Sequence, residues 1–238
     1  VMGPPSSEPV WAVPVLPATE TPATWAGVPV PLLTVSCIRL VRVAAVSESA
    51  VSDPSGLVTG FSDASGRWLP LACTLNASRI IDAMRRVTGL GYEEFDEAAL
   101  SVPDAGGLRL TPYFEGERTP NLPDATATLE GMTLANCDLA HVARAAVEGL
   151  LTLMRGALDA VRAQGVPIER VVMVGGGARS RAVRALASGI LGAEVDVPSP
   201  AEYVALGAAK QAAALNVADL GAGGQTHHCA NRAGRDDV

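Results

Sequence analysis

Residues 170–192, RVVMVGGGARSRAVRALASGILG, hold the residue types and spacing best suited to chemistry. Four residues of buried-strand character, 171–174, run into Gly175, Gly176 and Gly177. Ala178, Arg179 and Ser180 follow, and then a helical pattern with Val183, Leu186 and Ala187 on one face. Glycine lets a backbone approach a ligand closely, and the first turn of a helix offers unpaired N–H groups at the positive end of its dipole. Strand, glycine turn and helix N-terminus together form an anion site, for which a nucleotide is the natural ligand. The spacing fits neither Gly-x-Gly-x-x-Gly nor the Walker pattern, because no Gly-Lys-Ser/Thr follows. A purely structural turn stands beside the nucleotide reading.

Tyr113-Phe114-Glu115-Gly116-Glu117-Arg118-Thr119-Pro120 places two carboxylates and an arginine around a glycine, ending in a proline turn. It reads either as a solvated loop held by an Arg–carboxylate pair or as a loop that touches a phosphorylated ligand or closes over a cleft. A third segment runs Ala127-Thr128-Leu129-Glu130-Gly131-Met132, then eight residues, then His141-Val142-Ala143-Arg144-Ala145-Ala146-Val147-Glu148. It reads as a strand, a connection and a capped amphipathic helix, with His141 a surface residue rather than a catalyst.

The elements that must position these segments follow from periodicity. Segments 42–47 and 57–61 read as strands around the turn Ser52-Asp53-Pro54-Ser55-Gly56, and Ala64-Ser65-Gly66 turns the chain toward Trp68-Leu69-Pro70-Leu71. Asn76 is placed to cap a helix with Ile80, Ile81, Met84 and Val87 on one face, stopped by Gly89. A short helix covers 93–100, and 108–114 reads as a strand. Asp138 caps a long helix to about Gln164, with Val142, Ala146, Leu150, Leu153, Ala157, Leu158 and Val161 at helical spacing. Gly165 and Pro167 end it. A strand at 194–197 and a helix over 199–215 follow the glycine segment. This alternation predicts a layered α/β domain with its ligand at strand C-terminal ends.

Composition bounds the rest. The 238 residues carry a net charge of −7, with 48% hydrophobic and 4% aromatic residues. An Ala/Val-packed α/β core fits this balance, and its acidity argues against a nucleic-acid or anionic-membrane partner. The stretch 27–46 is broken by Pro29, Pro31, Arg39 and Arg42 and does not span a membrane. Cys37, Cys73, Cys137 and Cys229 lack metal-ligand spacing and read as buried thiols of a reducing, cytoplasmic setting. His227-His228-Cys229 is not read as a metal site, so no metal ligand is assigned.

Together the segments resemble the FGGY family of carbohydrate kinases, most closely its xylulokinase branch. The 127–148 segment is similar to the family's C-terminal signature, and Gly-Glu-Arg-Thr-Pro at 116–120 and Gly175-Gly176-Gly177-Ala178 with Ser180 are similar to its other landmarks. Glu202-Tyr203-Val204-Ala205-Leu206-Gly207-Ala208-Ala209 looks like its last helix. The likeness covers roughly 43–215 and implies an actin-like (ribonuclease H-like) ATPase fold. ATP, with Mg²⁺, gives its γ-phosphoryl to a sugar hydroxyl there. This chain is then the C-terminal nucleotide-binding half, with cofactor contacts at Gly175, Gly176, Gly177, Ala178 and Ser180 and at the 202–209 helix.

The resemblance also implies what lies elsewhere. The family's N-terminal domain supplies the metal-binding and catalytic aspartates and most contacts to the pentulose sugar. No catalytic base is assigned here: Asp53, Asp63 and Asp82 suit turns and a helix surface, and Asp138 suits a cap. The family's Gly-Thr-Ser-Gly-type phosphate loop falls where Cys37-Ile38-Arg39-Leu40-Val41-Arg42 stands, without a glycine. Eight prolines crowd the first 31 residues. The expected organisation is a proline-rich, irregular or foreign segment over 1–41, the nucleotide-binding domain over 42–219 and a loose tail over 220–238. A frameshifted or truncated reading frame accounts for the abrupt start, and the upstream gene sequence tests that. Expected behaviour is weak or no ATP binding and no sugar phosphorylation by this chain alone. Ribulose, gluconate and glycerol stay open as substrates beside xylulose, and a homo-oligomer stays open as an assembly. The rival readings are a non-catalytic nucleotide- or protein-binding module of actin-like fold and an aggregating fragment with an exposed interdomain face.

Overall fold

A computed structural model of the chain describes residues 41–62, 67–77, 79–199, 201–203 and 205–209. Strands β1 (Val41–Ala44), β2 (Val58–Ser62) and β3 (Trp68–Thr74) form an antiparallel sheet in the order β1-β3-β2. The strands expected over 42–47 and 57–61 are found at Val41–Ala44 and Val58–Ser62. The turn between them is built by one side chain. The Asp53 carboxylate accepts from the Ser55 N–H and O–H at 2.9 and 2.7 Å and from the Val58 N–H at 2.9 Å. Along β3 the side chains alternate, with Pro70, Ala72 and Thr74 facing inward, as the two-residue period of a strand requires.

Helices α1 (Arg79–Thr88) and α2 (Tyr92–Leu100) follow. The Arg85 guanidinium stacks 3.4 Å from the Tyr92 ring centroid, and the Tyr92 O–H donates to Asp82 at 2.6 Å. Strands β4 (Arg109–Thr111) and β5 (Thr128–Glu130) pair antiparallel. The strand expected over 108–114 is shorter because Pro112 has no N–H to continue the ladder. Helix α3 (Leu139–Arg162) is the organising element. At 24 residues it is about 36 Å long, and it packs against α1, α2, β1, β3, β4 and α4. Ala143, Ala146, Val147, Leu151, Ala157, Leu158 and Val161 are among its fully buried residues. Small residues bring the backbones close: a Cβ on Gly149 would lie 2.7 Å from the Leu110 carbonyl oxygen.

Strand β6 (Arg170–Val172) pairs parallel with β7 (Glu194–Asp196), and α4 (Arg181–Leu191) connects them. Phe95, Ile80, Leu151, Leu158 and Leu191 are the largest fully buried apolar side chains, each contributing about 1.5–3 kcal/mol by leaving water.

The chain divides into two compact units, Val1–Pro200 and Ala201–Val238. In the second, Tyr203 and residues 205–209 are helical, and the Leu206 N–H donates to the Glu202 carbonyl at 2.9 Å.

Two expectations are corrected. Asn76 does not cap α1 with its side chain; that side chain is drawn to the 115–117 loop, as described below. Cys137 is exposed rather than buried, its thiol 3.7 Å from the Met132 sulfur, and Cys73 is half-buried. The Ala64-Ser65-Gly66 turn, Asp63, Cys37, Cys229, the 227–229 cluster, the proline-rich start and the tail over 220–238 lie outside the described residues.

Candidate functional site

Val171 and Met173 of the 170–173 segment are buried, and the Met173 N–H still donates to the Asp196 carbonyl at 2.8 Å, carrying the β6–β7 pairing one residue beyond the strand. The chain then turns at Gly175, whose φ of 104° suits glycine and not an L side chain. A 3-10 turn, Gly176–Arg179, delivers Ser180 to the N-cap of α4. The Ser180 hydroxyl accepts from the Val183 N–H at 3.1 Å and donates to the Asp96 carboxylate at 2.5 Å. The other Asp96 oxygen accepts from the Arg181 N–H at 2.7 Å. Arg181 in turn reaches Glu97 at 3.2 Å.

The N-terminus of α4, read from the sequence as an open anion site, is therefore filled from within. Asp96 is buried at 8% exposure and supplies the negative charge that this helix end attracts. The five sequence-predicted contacts divide accordingly. Gly175 and Gly176 are exposed and Gly177 half-buried, and a Cβ on Gly176 would meet nothing within 4 Å. Their backbone is open to a ligand. Ala178 is buried, and the Ser180 hydroxyl is spent on Asp96 and Val183. These two shape the loop from behind. Asp96 was not singled out in the sequence, where nothing local marks a residue on α2 as the partner of one 84 positions later.

The 113–120 loop is held mainly by Glu117, which is only 1% exposed. One Glu117 oxygen accepts from the Leu75 N–H at 2.8 Å and the Arg118 N–H at 2.7 Å. The other accepts from Asn76 Nδ2 at 3.2 Å. Asn76 also donates to the Gly116 carbonyl at 2.7 Å and accepts from the Glu115 N–H at 3.2 Å, while Arg79 pairs with Glu115. The loop is thus braced against the β3–α1 junction through Arg79 and two carboxylates, not through Arg118, which is exposed. Burial, and then the Glu117 charge, hold the Tyr113 phenol above its ordinary range. Ala77, at the same junction, has a φ of 39°.

In the third segment Asp138 is the N-cap of α3. It accepts from the His141 N–H at 2.9 Å, and its second oxygen lies 2.8 Å from His141 Nδ1. These bonds, the backbone one first, hold the Asp138 carboxyl below the usual carboxylate range. Arg144 bonds Glu148 at 2.6 Å and the Ala99 and Val102 carbonyls at 3.4 and 3.1 Å. The segment fastens α3 to the end of α2.

Comparison with known proteins now decides the family. Residues 34–215 match the C-terminal domain of the FGGY family of carbohydrate kinases. The chain belongs to that family. It is similar to the xylulose kinase of Streptomyces coelicolor, 40% identical over 172 residues, covering 72% of this chain and 34% of that protein. It is also similar to the glycerol kinase of Delftia acidovorans, 34% identical over 134 residues, or 54% of this chain and 26% of that protein. Among solved structures, xylulose kinase from Bifidobacterium adolescentis superposes with a TM-score of 0.73 at 48% identity, covering 81% of this chain and 38% of that one. Plasmodium falciparum glycerol kinase with ADP, at 18% identity and a TM-score of 0.65, shares the fold, with 72% of this chain and 36% of that chain covered. The fold is that of the C-terminal domain of actin-like sugar kinases. The chain spans about a third of the length of the xylulose kinase it matches.

FGGY kinases use ATP and typically Mg²⁺. The metal does not fit here. Asp96 and Glu97, the carboxylates tied to the glycine loop, are engaged by Ser180 and Arg181. No group of three His, Cys, Asp or Glu side chains gathers among the described residues, and no described helix is long and apolar enough to cross a membrane.

Proposed function

We propose that this chain is the nucleotide-binding half of an ATP-dependent sugar kinase whose acceptor is D-xylulose, giving xylulose 5-phosphate. Adenine and ribose lie against Gly175, Gly176 and Gly177, with Ala178 and Ser180 fixing the loop. The observation that carries this reading is the exposed glycine backbone after β6, backed by a helix end already neutralised by Asp96. A loop with its anion-binding N–H groups occupied suits the neutral nucleoside end better than the phosphates. The xylulose acceptor rests on the 40% identity to xylulose kinases. Mg²⁺, the catalytic base and most sugar contacts come from the other domain, in a cytoplasmic setting. The full chain alone binds nucleotide weakly and phosphorylates no sugar.

A nucleotide titration with and without D-xylulose, run beside a coupled assay of ADP release, tests the proposal. Weak ADP binding unaffected by sugar, with no turnover, is expected. Turnover above background, or tightening by sugar, overturns the division of labour.

A further inference from the structure

We infer that Asp96 is a positioning residue for the nucleotide loop, and that it sets the loop's choice of a neutral ligand group by occupying the N-terminus of α4 itself. The inference rests on the nucleotide reading of 175–177 and extends it to a residue of a different helix.

The geometry is two-pronged. One Asp96 oxygen accepts a hydrogen bond from the Ser180 hydroxyl at 2.5 Å, and the other accepts from the Arg181 N–H at 2.7 Å. Ser180 is thereby held so that its Oγ accepts from the Val183 N–H at 3.1 Å. The Asp96 carboxylate thus reaches the first helical N–H directly and the third through Ser180. These are the donors that a phosphate at a helix N-terminus would use. The same contacts fix where the 3-10 turn ends, since the Ser180 N–H donates back to the Gly177 carbonyl at 3.2 Å. Loop and helix end are set by a single buried carboxylate, and what remains open is the glycine backbone. A phosphate brought to this helix end meets an existing negative charge, whereas an uncharged base or ribose does not.

The charged groups around the carboxylate do not undo this. Arg181 is turned to Glu97, and Arg179 lies exposed within the 3-10 turn.

Amide-resolved NMR on the full chain tests the inference, using wild type, Asp96→Asn and Asp96→Ala, with ADP and inorganic phosphate as probes. In wild type, ADP is expected to shift the amides of 175–177, and inorganic phosphate is expected to leave those of 181–183 unmoved. In Asp96→Asn, hydrogen exchange at Arg181 and Val183 rises and the ADP midpoint weakens, each by about ten-fold. Asp96→Ala gains phosphate-dependent shifts at 181–183, as a vacated helix end requires, while the weakened ADP midpoint is the readout that a merely structural aspartate would not move. A folded Asp96→Asn with wild-type exchange and wild-type ADP midpoint overturns the role of Asp96. So does an Asp96→Ala protein that stays folded and ignores phosphate. If neither variant folds, wild type still decides, because phosphate shifts at 181–183 contradict an occupied helix end. Absence of ADP shifts at 175–177 in wild type overturns the nucleotide reading, while exchange at Arg181 still scores Asp96.

Discussion

Glu117 and Asn76, 41 positions apart in the chain, meet inside the protein at 3.2 Å. Their contact closes a small buried network in which the carboxylate also serves the backbone N–H groups of Leu75 and Arg118. The acidic residue of Gly-Glu-Arg-Thr-Pro is therefore a brace for the β3–α1 junction. Replacing it by alanine strands several buried donors at once, each costly without a partner. Glu117→Ala is expected to lose about 3 kcal/mol in urea unfolding, with Glu117→Gln losing less because one amide oxygen still accepts. Wild-type stability in the alanine variant would refute the brace.

Two glycines on α3 give a matched pair. A Cβ at Gly149 would press on the Leu110 carbonyl at 2.7 Å, whereas one at Gly156 meets nothing within 4 Å. Gly149→Ala is expected to cost about 1–3 kcal/mol by forcing helix from strand. Gly156→Ala is expected to be neutral or to stabilise by up to about 1 kcal/mol through helix propensity. Thermal unfolding of both reads the difference.

Acid should weaken two of the molecule's turns. Asp53 is held below the usual carboxylate range by the Ser55 hydroxyl first and the Val58 N–H next, and Asp138 by His141. Since both are lower in the folded chain than in the unfolded one, their stabilisation is whole above the ordinary carboxylate pKa, near pH 4. It is lost as pH falls through the folded values. The gap in urea midpoint between wild type and Asp138→Asn should be open at neutral pH and narrow steadily below about pH 4. A gap independent of pH would contradict this linkage.

Local signals were legible in the sequence, and contacts between distant segments were not. Asp138 announces α3 because a cap and its helix lie within a few residues, and the structure finds it accepting from the His141 N–H. Gly165, with a φ of 80°, marks the helix's end as plainly. Asn76 carries the same local signal, yet its amide is taken by Gly116 and Glu117 from 40 and 41 positions away. A capping motif competes with whatever the fold brings near it, and periodicity carries no record of that. The glycine loop was visible as strand, turn and helix. That its helix end is already occupied depends on Asp96, whose only marks in the sequence are those of an ordinary surface position on an amphipathic helix.

The loop's two exposed glycines separate folding from binding. Gly175→Ala puts a side chain at a φ of 104° and is expected to cost about 1–3 kcal/mol of stability. Gly176 has open space and no positive φ, so Gly176→Ala should keep wild-type stability and still weaken ADP binding by blocking close approach. Unchanged ADP binding in a stable Gly176→Ala protein would place the nucleotide elsewhere.

The most direct measurement is an amide-resolved titration of the full chain with ADP, adenosine and inorganic phosphate in parallel. If this half of the kinase holds the nucleoside end, adenosine and ADP shift the amides of 175–177 with comparable midpoints, and phosphate leaves them unmoved. Shifts produced by phosphate alone, or none at 175–177 with any of the three, would contradict it.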